Sequence, residues 1–473
     1  MMSGSQKPHR RKRQLRISSH LVVDTKSAID LELDHEPRSL QWAFVVGLSG
    51  LLIFAILALG AVNEWSTFVF EAGAALLFLL WAGEQLVSGQ VKFSKNPLYL
   101  PAFLFLLLPL AQLVLRTTAY SYITKYELLQ YVAYGIVLLI ASECIREESA
   151  RKGFALVLIG FGVLYAFFAL AQELTSSGKF FWFYTPRYHG SIYGSYVNHN
   201  HYAGLMEMLV PFPLILCMGH IVTGGQRALI AFAAVLMAST IVLSGSRGGM
   251  LSFTFEMVVF AALTIYQRRS PRIALGTFAV CLLVLAFLLF LGKGEVLGRL
   301  GELGPDMRSK ITKDCFGMFV RRPVLGWGLG TFPTVYPSFR SFYTNLFVNE
   351  AHNDYAQLLV ETGLLGFGLM LWFVFLLFRA GLPTSRRWEF KWNGAVSLAA
   401  LLGCTALLVH SLVDFNLQIP ANAAFFYVLC ALAASRPQST SAKRGPSRAS
   451  TRGDGNGSRT SPFENNGSMP RFR

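Results

Sequence analysis

From residue 42 to residue 434 the chain alternates long apolar stretches with short polar joints. Apolar runs fall at about 42–62, 67–87, 98–115, 128–145, 154–174, 202–221, 227–243, 250–266, 273–292, 363–379, 395–413 and 421–434. Most are close to the roughly 20 residues that an α-helix needs to cross the hydrocarbon core of a bilayer. The pattern predicts an all-α polytopic integral membrane protein of about 12 transmembrane helices, with one large loop, 293–355, between helices 9 and 10.

Lys and Arg set the expected orientation, because the cytoplasmic connections of membrane proteins collect them. With the N-terminus inside, the inner segments hold 29 of the 42 basic residues, and eight of the other 13 lie in the one long loop, to which the rule hardly applies. An even number of spans with both termini cytoplasmic follows. Three regions result: a basic cytoplasmic tail over 1–39, a transmembrane domain over 40–435 that includes a periplasmic loop at 293–355, and a cytoplasmic tail over 436–473. The first is too long for a signal peptide and has no small-residue cleavage site. The last is rich in Ser, Gly, Arg and Asn and is expected to stay disordered.

Composition narrows the function. The chain of 473 residues is 53% hydrophobic and only 14% charged, against about 25% charged in soluble globular chains, which excludes an ordinary soluble enzyme. A net charge of +16 in a soluble protein would point to nucleic acid; here topology and attraction to anionic lipid account for it, and no nucleic-acid partner is expected. Five of the six cysteines sit in or beside apolar blocks and no pair has zinc-like spacing.

With this topology every segment of unusual polarity falls on the outer face. Arg247 stands at the boundary of two apolar runs among Ser244, Gly245, Ser246, Gly248 and Gly249. An Arg near membrane depth costs about 2.5–3.5 kcal/mol on insertion scales, so it faces a wet cavity, an anionic partner or, by snorkelling, lipid headgroups. Ser and Gly amides add donors suited to phosphate, and small side chains let a ligand approach the backbone. In the long loop, Asp306-Met307-Arg308-Ser309-Lys310 leads into an amphipathic helix with Ile311, Cys315, Met318 and Phe319 on one face. Arg308 is a second phosphate clamp or a solvated charge. Arg321 and Arg322 read as surface charges, and Gly326-Trp327-Gly328-Leu329-Gly330-Thr331-Phe332 as a turn-rich stretch.

The loop ends in Asn349-Glu350-Ala351-His352-Asn353-Asp354-Tyr355. His352 there stands near a helix N-terminus whose dipole keeps an imidazole neutral, with Glu350 or Asp354 to orient it. Such a ring takes a proton from a sugar hydroxyl; the other reading is a helix cap with a structural His. Asn198-His199-Asn200-His201-Tyr202 opens another span, but no Cys, Asp or Glu stands nearby in the chain to complete a metal site, so none is expected. Aromatics and amides there suit a sugar ring or an interfacial belt. His410 and Asp414, ahead of Phe415-Asn416-Leu417-Gln418-Ile419-Pro420, mark a last polar turn.

Four of these blocks occur in a recognisable order: S-R-G-G after a span (Ser246–Gly249), an Arg308 to Pro323 stretch followed by Gly326–Phe332, H-N-D-Y with L-x-x-E-x-G-L-x-G (His352–Gly366), and H-S-L-V-D-F-N-L-Q-I-P-A-N (His410–Asn422). Together they resemble the bacterial O-antigen ligase/polymerase superfamily. The resemblance covers about 190–432. It implies a C-type glycosyltransferase in the bacterial inner membrane that moves a glycan from undecaprenyl diphosphate to a hydroxyl acceptor at the periplasmic face, inverting the sugar carbon without metal or nucleotide cofactor. The acceptor implied is another glycan, a lipid A core or a protein hydroxyl, with a chain-length regulator as a further partner. By this resemblance Arg247, Arg308 and His352 are the catalytic set, and Ser246, Gly248, Gly249, Asn353, Asp354, Trp327, Asn200 and Asp414 contact substrate. The alternative function is a polysaccharide transporter or flippase, against which the spans lack a central run of titratable residues.

Overall fold

The computed structural model describes residues 38–91, 93–185, 192–266, 275–276, 305–345 and 347–437. Their helices, in chain order, are α1 (Arg38–Leu57), α2 (Glu64–Val87), α3 (Tyr99–Val114), α4 (Ser121–Cys144), α5 (Glu148–Thr175), α6 (His199–Leu209), α7 (Pro211–Met218), α8 (Gly224–Leu243), α9 (Arg247–Tyr266), α10 (Pro305–Arg321), α11 (Phe332–Val335), α12 (Asp354–Thr384), α13 (Trp392–His410) and α14 (Pro420–Ala434). Among the described residues nine helical segments are long and apolar enough to cross a membrane, with α6 and α7 taken as one span, and α3 and α14 are shorter apolar helices. The protein is a multi-pass, all-helical membrane protein. Each apolar run read from the sequence falls on one of these helices, or on α6 and α7 together, apart from 273–292, nearly all of which lies outside the described residues.

Two spans depart from their expected form, each for a local reason. The span at 202–221 is two helices, because Pro211 has no N–H to continue the α6 ladder. The expected span at 363–379 begins at Asp354 instead, because Asn353 caps a helix turn that rests on the loop, accepting from the N–H groups of Tyr355 and Ala356 at 3.1 and 3.0 Å. The apolar edge at 363 marks a kink inside α12, where Gly363 has φ 63°.

Helix α13 is the axis. Gly394 through Leu407 are all buried, and the helix packs on α5, α6, α7, α9, α12 and α14. Small residues make this possible: a Cβ on Gly403 would stand 3.0 Å from the Met208 backbone. With no hydrophobic drive between helices inside lipid, such close packing is what selects neighbours.

The long loop has its own small core. Ile311, Cys315 and Met318 of α10 pack with Phe332, Tyr336, Val348, Ala351 and Val360, while Phe319 of the expected apolar face is only half-buried. The glycine-rich stretch then grips the spans. Its Gly330 and Phe332 N–H groups donate to the Glu361 carboxylate at 2.9 and 3.1 Å. Trp327 and Gly328 N–H groups donate to the carbonyls of Val360 and Glu361, and Gln112 at the end of α3 donates to Leu325 and Glu361 carbonyls. Gly326 has φ 69° and lies against the Glu361 backbone, so no side chain fits there.

Candidate active site at one end of the bundle

One end of the bundle gathers the first turns of α6, α9, α12 and α14 around the last turn of α13. Gly248 of α9 sits against His410 of α13, and the Asp354 N–H of α12 donates to the Ser411 carbonyl at 3.0 Å. Asn422 of α14 donates to the His201 carbonyl of α6 at 2.9 Å. Four helix N-termini therefore face one place, and their dipoles favour an anion there.

The turn after α13 carries the centre of this place, Asp414, 1% exposed. The N–H groups of Val413 and Asp414 donate back to the His410 carbonyl, at 3.0 and 3.1 Å, which fixes the turn. Three charged or chargeable side chains surround the carboxylate. His201 Nε2 lies 3.6 Å and His352 Nδ1 4.0 Å from Oδ1, and an Arg308 guanidinium nitrogen lies 3.9 Å from Oδ2. The same Arg308 nitrogen donates to the Val413 carbonyl at 2.6 Å. Phe415 stands between the two imidazoles, with each ring edge-on to it at centroid distances of 4.6 and 4.8 Å.

Electrostatics divide the cluster into a fixed charge and a neutral imidazole. Burial alone would raise the Asp414 carboxyl, but contact with His201 and the charges of His410 and Arg308 outweigh it and hold the group well below the usual carboxylate range. Burial pulls the His352 ring down to about 4; Asp414 opposes this, while Arg308 and His201 add to it. His352 is therefore neutral at pH 7. It also has φ 52°, a left-handed conformation that costs a non-glycine residue about 1–3 kcal/mol and persists where surroundings enforce it. Among the described residues His352 Nδ1, His201 Nε2, Arg308 Nε and Asp414 Oδ2 are buried atoms without a hydrogen-bond partner. Buried polar atoms are normally paired, so this concentration marks the cluster out.

The structure brings some of the expected residues to this cluster and places others beside it or away from it. Arg308, His352 and Asp414 meet directly. Arg247 is exposed at the start of α9, next to Gly248, which lies against His410 and Val413. Ser246 caps α9, its hydroxyl accepting from the Gly249 N–H at 3.0 Å. The two glycines serve close packing within the protein: a Cβ on Gly248 would stand 2.7 Å from His410 Nε2, and one on Gly249 2.6 Å from Ala203. Asn353 is a helix cap, as described. Asp354 accepts from the Leu417 N–H and the Gln418 amide, at 3.1 and 3.3 Å, and so ties α12 to the turn. Asn200 lies in the first turn of α6, half-buried. Trp327 belongs to the loop, donating to the Met318 carbonyl at 2.9 Å beneath the Arg322 guanidinium, which stacks on its ring at 4.3 Å.

Three features were not foreseen. The carboxylate beside His352 is Asp414, because Glu350 turns to Gln357 and Asn349 and Asp354 to the turn. His201 joins the cluster through that same carboxylate. Below it a fully buried pair, Glu207 Oε1 and His410 Nδ1 at 3.0 Å, underlies the glycines of α9. Among the described residues no group of three His, Cys, Asp or Glu is arranged to hold a metal ion.

Residues 232–373 match the family described as O-Antigen ligase. The matched segment holds S-R-G-G, Arg308, the glycine-rich stretch and H-N-D-Y, and it supports assignment of the chain to the O-antigen ligase superfamily. No curated protein matches the sequence. The match over that segment suggests a ligase- or polymerase-like role in membrane glycan transfer.

Proposed function

We propose that the protein transfers a glycan from a polyprenyl diphosphate to a hydroxyl acceptor at the periplasmic face of the bacterial inner membrane, with His352 as base and Arg308 and Arg247 as the diphosphate clamp. The observation that carries this reading is the meeting of Arg308 and neutral His352 on one buried carboxylate, at the end of the bundle where four helix N-termini converge.

The chemistry is consistent with those groups. The bond between the sugar carbon and the diphosphate oxygen breaks, and the electron pair leaves with the diphosphate, whose growing charge Arg308 and Arg247 stabilise. The acceptor oxygen forms the new bond from the opposite face, which inverts the carbon. Its proton goes to His352. Because Nδ1 faces Asp414, Nε2 is the nitrogen left for the acceptor, and Asp414 stabilises the imidazolium that forms. A ring at about 4 is a weak base at rest; the negative charge of a bound diphosphate raises it toward the working pH.

The test is the glycan profile of a deletion strain carrying the native gene or His352→Gln, read from both carrier-lipid and surface fractions. Restoration of long surface glycan by the native gene and not by the variant, at equal membrane levels, is the expected result. Full restoration by the variant would remove His352 from the mechanism. Within the reading, single repeat units in the deletion strain identify a polymerase, and long chains stranded on the carrier identify a ligase.

A further inference from the structure

Two imidazoles from distant parts of the chain address one oxygen of one carboxylate. His352 comes from the long loop and His201 from the first turn of α6, and both lie near Asp414 Oδ1, at 4.0 and 3.6 Å. Their rings flank Phe415 in nearly equal edge-on poses, with interplanar angles of 83° and 76°. His201 is the more deeply placed, its side chain 6% exposed against 13% for His352. Its backbone is pinned by Asn198 below and Asn422 across, so the ring's position is set by the fold.

One carboxylate oxygen cannot fully support two imidazolium ions, because each charge repels the other at this range. The competition has a direction. Arg308 occupies the other side of Asp414, at Oδ2, so neither ring can retreat to that oxygen. The charged or titratable groups facing the pair are Asp414 and Arg308 for His352, and Asp414 for His201; His410 adds to the field at Asp414, and Asp354 and Glu207 lie beyond it.

We propose that His201 is a positioning residue: it shares the Asp414 carboxylate with His352 and thereby weakens the support that Asp414 gives to the protonated His352 ring. This rests on the base role proposed for His352. His201 touches no reacting atom; it acts through Asp414, as a competitor for the one carboxylate that faces the His352 ring among the described residues.

The test reads the His352 ring itself and needs no substrate. The full chain, labelled with 15N-histidine and solubilised in detergent, is titrated by NMR, with the His352 signal assigned by its loss in His352→Gln. In His201→Gln the His352 midpoint is expected to move upward, because Asp414 Oδ1 is then left to His352 alone. In Asp414→Asn it is expected to move downward. A His352 midpoint that stays put or falls in His201→Gln overturns the proposal. If His201→Gln fails to elute as a single species, His201→Asn replaces it, with the same expectation and the same refutation. The function proposed above fails separately: loss of glycan transfer is not needed for the midpoint to move, and His352→Gln that retains transfer leaves the titration result intact.

Discussion

Two regions of this protein carry the motifs that make its sequence recognisable, and they treat their polar atoms in opposite ways. In the glycine-rich stretch, the Glu361 carboxylate accepts from two backbone N–H groups, Gln112 spans two carbonyls and a third backbone N–H, and the Trp327 indole has its carbonyl. Around Asp414, by contrast, an arginine nitrogen, two imidazole nitrogens and a carboxylate oxygen are buried without a hydrogen-bond partner among the described residues. A saturated network rigidifies, and a partly satisfied one costs stability that a fold keeps only for another reason. The first region is a clamp that holds the loop and α12; the second is the place where chemistry is expected.

The sharpest way to break this contrast is to remove groups from the second region. Arg308→Ala and His352→Gln are each expected to lower glycan transfer by about 10²–10⁴-fold with membrane levels unchanged, the range of general-base and charge-stabilising groups; a loss of protein in place of a loss of rate would move these residues to the clamp. The reverse holds for Gly326→Val. There the backbone is left-handed and lies on Glu361, so the variant is expected to lose folded protein, by about 1–3 kcal/mol for strain alone, seen as a lower midpoint of thermal aggregation in detergent. A fully stable Gly326→Val with impaired transfer would place the glycines in the site.

A pH profile sharpens the comparison from the site side. His352 titrates at about 4 in the free protein, and its base form exists above that value. The acid limb of kcat/KM, which reports the free enzyme, is therefore expected at about pH 4, with transfer falling as pH drops through it; the limb of kcat is expected higher, because bound diphosphate favours the imidazolium. A limb on kcat/KM near 6.5 would mean that the ring is not held as the structure holds it. The smallest effect is expected at Asn353→Ala. Loss of its cap on α12 costs about 1 kcal/mol, and rates per folded molecule should stay close to wild type.

Much of the architecture was legible in the chain, because a bilayer leaves few options: backbone groups in hydrocarbon must pair within their own helix, so apolar length alone places spans. Arg308, His352 and Asp414 were legible as well, being charged or titratable groups where such groups are costly. What could not be read was the partner of each. Glu350 and Asp354 stand next to His352 in sequence, yet the carboxylate beside it comes from the turn after α13, far along the chain. Nor could the structural contacts of the motif residues be read: Asn353 caps α12, Trp327 donates within the loop, and Gly248 and Gly249 allow close packing.

The sequence by itself thus determined a helical, multi-pass membrane protein that resembles O-antigen ligases over part of its length, since hydropathy and residue order are properties of the linear chain. Only the tertiary structure decided which motif residues are spent on holding the fold, and that His201, Arg308 and His352 share Asp414. Residues 44 to 213 positions apart in the chain meet there, and no local pattern encodes that meeting, because it is fixed by how α6, α12 and the loop pack around α13.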